Sequence, residues 1–280
     1  MQFPEGTLTI GGDLKVRRIG FGAMRITGRG IWGPPKDEAE AIRVLRRAVE
    51  LGVNLIDTAD SYGPEVSEQL IAKALHPYPA GVVIATKGGL TRSGPDRWTS
   101  NCSPAHLKQA CEGSLKRLQI ERIDVYQLHT HDSRVPMEDS IGALAELRAA
   151  GKLRHIGVSN FSVTELKRAQ KIAPIVSVQN RYNMNDRASD AVIDRCEAEG
   201  LAFLPWYPLA VGGIARGNSR IEAIAQRHHA TPSQIALAWL LKRSPVMLPI
   251  PGTSSVAHLE ENVAATKIQL SDEEFASLGR

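Results

Sequence analysis

Short apolar runs recur along the chain, and several end at a polar residue. Val53–Ile56 ends in Asp57, Val82–Thr86 in Lys87 and Ile123–Leu128 in His129. Ile156–Val158 gives way to Ser159-Asn160, and Ile175–Val178 to Gln179-Asn180. Runs of this length, separated by helix-patterned stretches, read as parallel strands buried on both faces. The pattern predicts strands around 19–24, 53–57, 82–86, 123–128, 153–158, 175–179, 201–206 and 246–250.

Helical periodicity fills the intervals. Ala41, Val44, Leu45, Ala48 and Val49 share one face of a helix over 38–51 that stops at Gly52. Ser103-Pro104 opens another, with Leu107, Cys111, Leu115 and Leu118 down its apolar side. A third spans 138–150 and stops at Gly151, while Thr231-Pro232-Ser233-Gln234 reads as a capping box opening a helix through Leu241. Ser271-Asp272-Glu273-Glu274 opens a last short helix. Near the start, Leu8–Ile10 and Lys15–Arg17 join through Gly11-Gly12-Asp13 as a hairpin placed to plug a barrel floor. Eight βα units in about 250 residues fit a closed (β/α)₈ TIM barrel, one domain over 1–280, better than an open doubly wound sheet. The open sheet would carry a glycine-rich turn after its first strand, whereas Gly20-Phe21-Gly22 lies inside one.

Composition narrows the partners. The net charge of +4 is spread without a run of Lys or Arg, which argues against nucleic acid yet suits a phosphorylated ligand. No stretch approaches the ~20 apolar residues of a membrane span, and Met1–Gly6 lacks the build of a secretory leader. Cys102, Cys111 and Cys196 are odd in number and lack metal-type spacing, so reduced thiols in a cytoplasmic protein are expected.

In parallel α/β folds, chemistry gathers beyond the carboxyl ends of the strands. Reducing a carbonyl with a hydride places negative charge on oxygen, so an acid must deliver a proton there. Tyr62, in Asp57-Thr58-Ala59-Asp60-Ser61-Tyr62-Gly63, is a candidate acid. A phenol, unperturbed at ~10, serves near neutrality only if a neighbouring cation stabilises its phenolate. Lys87 can be that cation, Asp57 can hold Lys87, and His129 can orient the carbonyl. Taken singly, each has a plainer use as a cap, a rim charge or core packing; together at matching strand ends they form a proton-transfer site.

These segments make the chain similar to the aldo-keto reductase family over nearly its full length. The family's Asp-Thr-Ala-x-x-Tyr-Gly appears at Asp57–Gly63, its strand-end lysine in Ile84-Ala85-Thr86-Lys87, and its Asp-x-Tyr-x-x-His at Asp124–His129. Gly157-Val158-Ser159-Asn160-Phe161 and Val178-Gln179-Asn180 match two further signatures. The resemblance implies a catalytic tetrad of Asp57, Tyr62, Lys87 and His129. It implies NADPH as cofactor, with NADH left open. Ser159, Asn160 and Gln179 would hold the nicotinamide carboxamide, Trp206 would lie against its ring, and Gly22, Ala23, Met24, Asp57, Tyr207, Pro208 and Leu209 would complete that side. Thr253, Ser254, Ser255, His258, Glu261 and Asn262 would meet the phosphate end. There Gly252 replaces the family's usual lysine and His258 its usual arginine, which should make the preference for NADPH milder. Trp32 and Trp98 are expected at a small-molecule carbonyl substrate, and the overall pattern most resembles a bacterial branch that includes pyridoxal reductases. A monomer is expected. Two other readings compete: a non-catalytic nicotinamide-sensing subunit, and a metal-dependent barrel hydrolase using His129-Thr130-His131. The hydrolase lacks further ligands, because His155 opens its strand at the wrong rim and no acidic residue ends the last one. No metal is expected.

Overall fold

The computed structural model describes residues 6–209 and 219–279. Met1–Glu5, most of the stretch read for a leader, and Arg280 lie outside the described residues. The chain opens with β1 (Thr7–Ile10) and β2 (Leu14–Arg17), an antiparallel hairpin. Then come β3 (Phe21–Gly22), α1 (Glu38–Glu50), β4 (Leu55–Asp57), α2 (Val66–Leu75) and β5 (Val83–Gly88). A second hairpin follows, β6 (Leu90–Gly94) with β7 (Arg97–Ser100), and then α3 (Pro104–Leu118). Strand and helix alternate through β8 (Ile123–Leu128), α4 (Met137–Ala149), β9 (Leu153–Ser159), α5 (Val163–Gln170), β10 (Ile175–Gln179), α6 (Asp190–Glu199) and β11 (Ala202–Phe203). The last elements are α7 (Ser219–Arg227), α8 (Pro232–Arg243), α9 (Val256–Ala264) and α10 (Asp272–Leu278).

Seven parallel strands lie in the order β3-β4-β5-β8-β9-β10-β11. The expected eighth, around 246–250, forms no ladder of its own. It still joins the two sheet edges: Phe203 N–H donates to Val246 O at 2.9 Å, Leu248 N–H to Phe203 O at 2.8 Å, and Gly20 N–H to Pro249 O at 2.9 Å. Pro249 and Pro251 have no N–H to extend a ladder, so the barrel closes through one isolated bridge, Phe203 with Met247, on one side and the Gly20–Pro249 bond on the other. The first strand is likewise shorter than 19–24, because Ala23–Ile26 turns into a 3₁₀ segment.

The predicted caps are in place: Ser103 accepts from the His106 N–H, and Thr231 and Ser271 form full capping boxes. Asp37, not foreseen as a cap, accepts from the Glu40 N–H at the start of α1. Strand alternation divides the apolar side chains into two populations. Ile56, Ile84 and Tyr126 face the helices, whereas Leu55, Val83, Ala85 and Val125 face the barrel axis. The β1–β2 hairpin sends Leu8, Ile10, Leu14 and Val16 into that interior group and stoppers the barrel, as expected. Each of these buried side chains contributes about 1.5–3 kcal/mol. No helix among the described residues is long and apolar enough to cross a membrane.

Candidate active site

The step of two that points Leu55, Ala85 and Val125 inward also points Asp57, Lys87 and Gln127 inward, one layer higher. They meet at the carboxyl ends of β4, β5 and β8. Lys87, with no exposed surface, uses its three N–H groups on Asp57 Oδ2 at 2.8 Å, Thr58 O at 2.7 Å and Tyr62 Oη at 3.4 Å. The other Asp57 oxygen accepts from Gln179 Nε2 at 2.8 Å and Gln127 Nε2 at 3.2 Å. Tyr62 hangs from the turn after β4, its ring 5.8 Å from that of His129 at 78°. Ser61 Oγ lies 3.4 Å from His129 Nδ1.

Burial works against the Lys87 charge, but Asp57 and Tyr62 outweigh it and hold the ammonium above its ordinary pKa. Burial lowers His129 well below the usual histidine value, and the nearby Lys87 charge adds to this, so the imidazole is neutral. Tyr62 departs from expectation. Lys87 pulls its pKa down, yet burial, helped by Asp57, raises it on balance, so the resting phenol keeps its proton.

Above this floor opens a cavity of about 850 Å³. One of its walls is tightly wired. Ser159 Oγ donates to Gln179 O at 2.8 Å, Asn160 Nδ2 to His129 O at 3.2 Å, and Trp206 Nε1 to Asn160 Oδ1 at 2.9 Å. Asn160 and Tyr207 have φ of 61° and 62°, left-handed backbone that costs of order 1–3 kcal/mol and recurs at ligand sites. Gly22, Met24, Pro208 and Leu209 also line the cavity, whereas Ala23 is fully buried beneath it.

The far end is formed by Thr253, Ser254, His258, Glu261 and Asn262. Ser255 is outside the lining; it is the N-cap of α9, and its N–H donates to Thr253 Oγ1 at 3.1 Å. The Val256 N–H is taken by Glu40 Oε1 at 3.1 Å, so the helix start offers less free backbone than expected. Gly252 is dictated by closure, since a Cβ there would lie 2.5 Å from Gly22 O and 3.5 Å from Arg25 Cγ. Arg25 itself is exposed on the cavity wall, with no ion pair among the described residues. Of the two tryptophans, Trp98 lines the cavity with Leu90, and Trp32 stands outside it.

Sequence reasoning missed Gln127, Arg25, Leu90 and Ser233. Gln127 was within reach, two residues after inward Val125 on β8 and two before His129. The other three had no signal, because only the fold brings their segments to the cavity. The histidines of the hydrolase reading disperse: His131 lies 3.8 Å from Glu165, and His155 2.6 Å from Asp13 at the plugged end. Among the described residues no three His, Cys, Asp or Glu side chains converge as metal ligands.

Residues 18–280 match the Aldo/keto reductase family. An uncharacterized oxidoreductase of Schizosaccharomyces pombe is 50% identical over 273 residues, 98% of this chain and 89% of its own length. Pyridoxine 4-dehydrogenase of Escherichia coli is 46% identical over 280 residues, covering 98% of this chain and 97% of its own. Among solved structures, an aldo/keto reductase from Klebsiella pneumoniae in complex with NADP and acetate superposes with a TM-score of 0.85 at 28% identity, over 98% of this chain and 94% of that one.

Proposed function

The chain belongs to the aldo/keto reductase family, and on that premise we propose that it reduces an aldehyde or ketone with NADPH, Tyr62 delivering the proton. The observation that carries this reading is Lys87, sealed between Asp57 and Tyr62 on the floor of the cavity. A sensing subunit has no need of a buried cation held against a phenol.

The cavity fits a nicotinamide dinucleotide. Ser159, Asn160 and Gln179 offer donors and acceptors for a carboxamide, and Gln179 Oε1 takes no hydrogen bond among the described residues. Trp206 and Tyr207 offer flat surface beside them, and Thr253, Ser254 and His258 face phosphate at the other end. The Klebsiella relative binds NADP. With a side chain excluded at position 252, Arg25 supplies a cation close to where the usual lysine would project.

When bound, NADPH supplies the hydride. The protein's part is to hold the carbonyl oxygen between Tyr62 Oη and the neutral His129, which can donate a hydrogen bond without carrying charge. As charge builds on that oxygen, Tyr62 gives up its proton and Lys87 stabilises the phenolate left behind. The raised resting pKa of Tyr62 means the proton leaves only when an alkoxide forms to receive it. Asp57, anchored by Gln127 and Gln179, keeps Lys87 charged throughout.

The substrate end is flat and apolar, built from Trp98 and Leu90. Together with the similarity to pyridoxine 4-dehydrogenase, this makes the pyridoxal–pyridoxine pair the first substrate to test. A panel of carbonyls including pyridoxal, assayed with NADPH and with NADH, decides the matter. No turnover of any aldehyde by protein that binds NADPH would favour the alternative of a sensing subunit.

A further inference from the structure

Arg92, on β6, places all five of its N–H groups on backbone carbonyls. Nε donates to Arg97 O at 3.1 Å. One terminal nitrogen donates to Ile31 O at 2.7 Å and Ser61 O at 3.1 Å, the other to Gly30 O at 2.8 Å and Gly94 O at 3.3 Å. These carbonyls belong to three separate segments: the loop ahead of α1, the turn that carries Tyr62, and the β6–β7 hairpin itself. The segments touch closely. A Cβ on Gly30, where φ is +70°, would lie 2.7 Å from Pro95 Cβ.

The same guanidinium lies over the Trp98 ring, its carbon 3.6 Å from the ring centroid, with Trp32 at 5.9 Å. Trp98 in turn meets the Tyr62 ring edge-on, centroids 6.4 Å apart at 85°. Arg92 makes no ion pair within 4.0 Å among the described residues, and the Asp96 carboxylate acts on it only from a greater distance. With every donor occupied, it has none left for an anionic substrate. Only a planar fork of five donors can satisfy this set of carbonyls and stack on an indole at once; an ammonium has three donors and no plane.

We propose that Arg92 is the positioning residue of the substrate half of the cavity, fixing the plane of Trp98 and the Ser61–Tyr62 turn together. This rests on the roles assigned above to Tyr62 and Trp98. It separates two effects. Losing the indole plane raises KM for flat substrates, and loosening the Tyr62 turn lowers kcat for all substrates.

The test compares Arg92→Lys, Trp98→Leu and the double variant, with 4-nitrobenzaldehyde as the flat substrate and propanal as the small one. NADPH affinity is measured by calorimetry and folding by Tm. Arg92→Lys should raise KM for 4-nitrobenzaldehyde about tenfold, lower kcat for both aldehydes, and leave the NADPH Kd within about twofold. In the Trp98→Leu background the same change should lower kcat without a further rise in KM. Arg92→Gln carries the same comparison where the lysine variant does not fold. The proposal is overturned by folded protein with KM and kcat unchanged, by a KM rise that persists undiminished without Trp98, or by an NADPH Kd that worsens as much as KM. Tyr62→Phe tests the underlying acid assignment separately. If that variant stays active the assignment falls, while the KM comparison still decides Arg92.

Discussion

Lys87 and Asp57 face each other at 2.8 Å with side-chain exposures of 0% and 3%, an ion pair removed from water. Removing one partner of such a pair typically costs about 3–5 kcal/mol, because the other charge stays buried. Lys87→Met should therefore abolish turnover and lower the urea midpoint markedly. Adding Asp57→Asn should recover part of the stability and none of the activity. Full stability in the single variant would show that the pair is not closed to solvent in solution.

Tyr62→Phe should reduce kcat by about 10²–10⁴-fold, the usual contribution of a positioned acid. The NADPH Kd should stay within about twofold, since Phe keeps the ring against His129 and Trp98. Retention of more than about a tenth of the wild-type rate, with chemistry limiting, would remove Tyr62 from this role.

In the proposed cofactor site, Arg25 and His258 are the two basic side chains lining the end assigned to the 2′-phosphate. Arg25→Ala should weaken NADPH by roughly 5–10-fold and NADH less, in line with about 1 kcal/mol for an exposed charge–phosphate contact. His258→Arg should strengthen NADPH, because guanidinium is permanently charged and binds phosphate through two bonds. Calorimetric titration of both cofactors at two salt concentrations checks this, and equal losses for NADPH and NADH would place Arg25 on the shared pyrophosphate instead.

Asp60 carries a buried oxygen, Oδ1, with no hydrogen-bond partner. Burial, and then the Glu68 charge, push its pKa up to about 8; Arg117 pulls the other way and Glu65 adds to the rise. A folded-state pKa above the unfolded one means the native state holds the extra proton. The stability from this group is full below about pH 4 and is lost as pH rises through its folded value. Asp60→Asn should thus gain on the wild type between pH 6 and pH 9. Denaturant midpoints at both pH values test it, and a constant difference between the two proteins would refute it.

Much of this was legible because a strand writes its geometry with period two. Once Leu55, Ala85 and Val125 are read as interior, Asp57, Lys87 and Gln127 follow. Caps such as Thr231 and Ser271 were equally local. What escaped depended on distance in sequence. The β6–β7 hairpin has almost no apolar face, and its Gly94-Pro95-Asp96 turn was the one available signal. Arg92 gains its place through carbonyls, which every residue carries. The Tyr62 pKa turned on burial outweighing Lys87, and burial of a turn residue is set by the loops that cover it.

The stopper formed by β1 and β2 makes the barrel a cup. Its apolar packing lies directly below Asp57 and Lys87, so no water reaches the cation from underneath. On the mechanism proposed above, a proton taken from Tyr62 would be refilled from above, through the same opening by which the alcohol would depart. Product release and recharging of the acid then share one doorway, and anything that lingers there delays both.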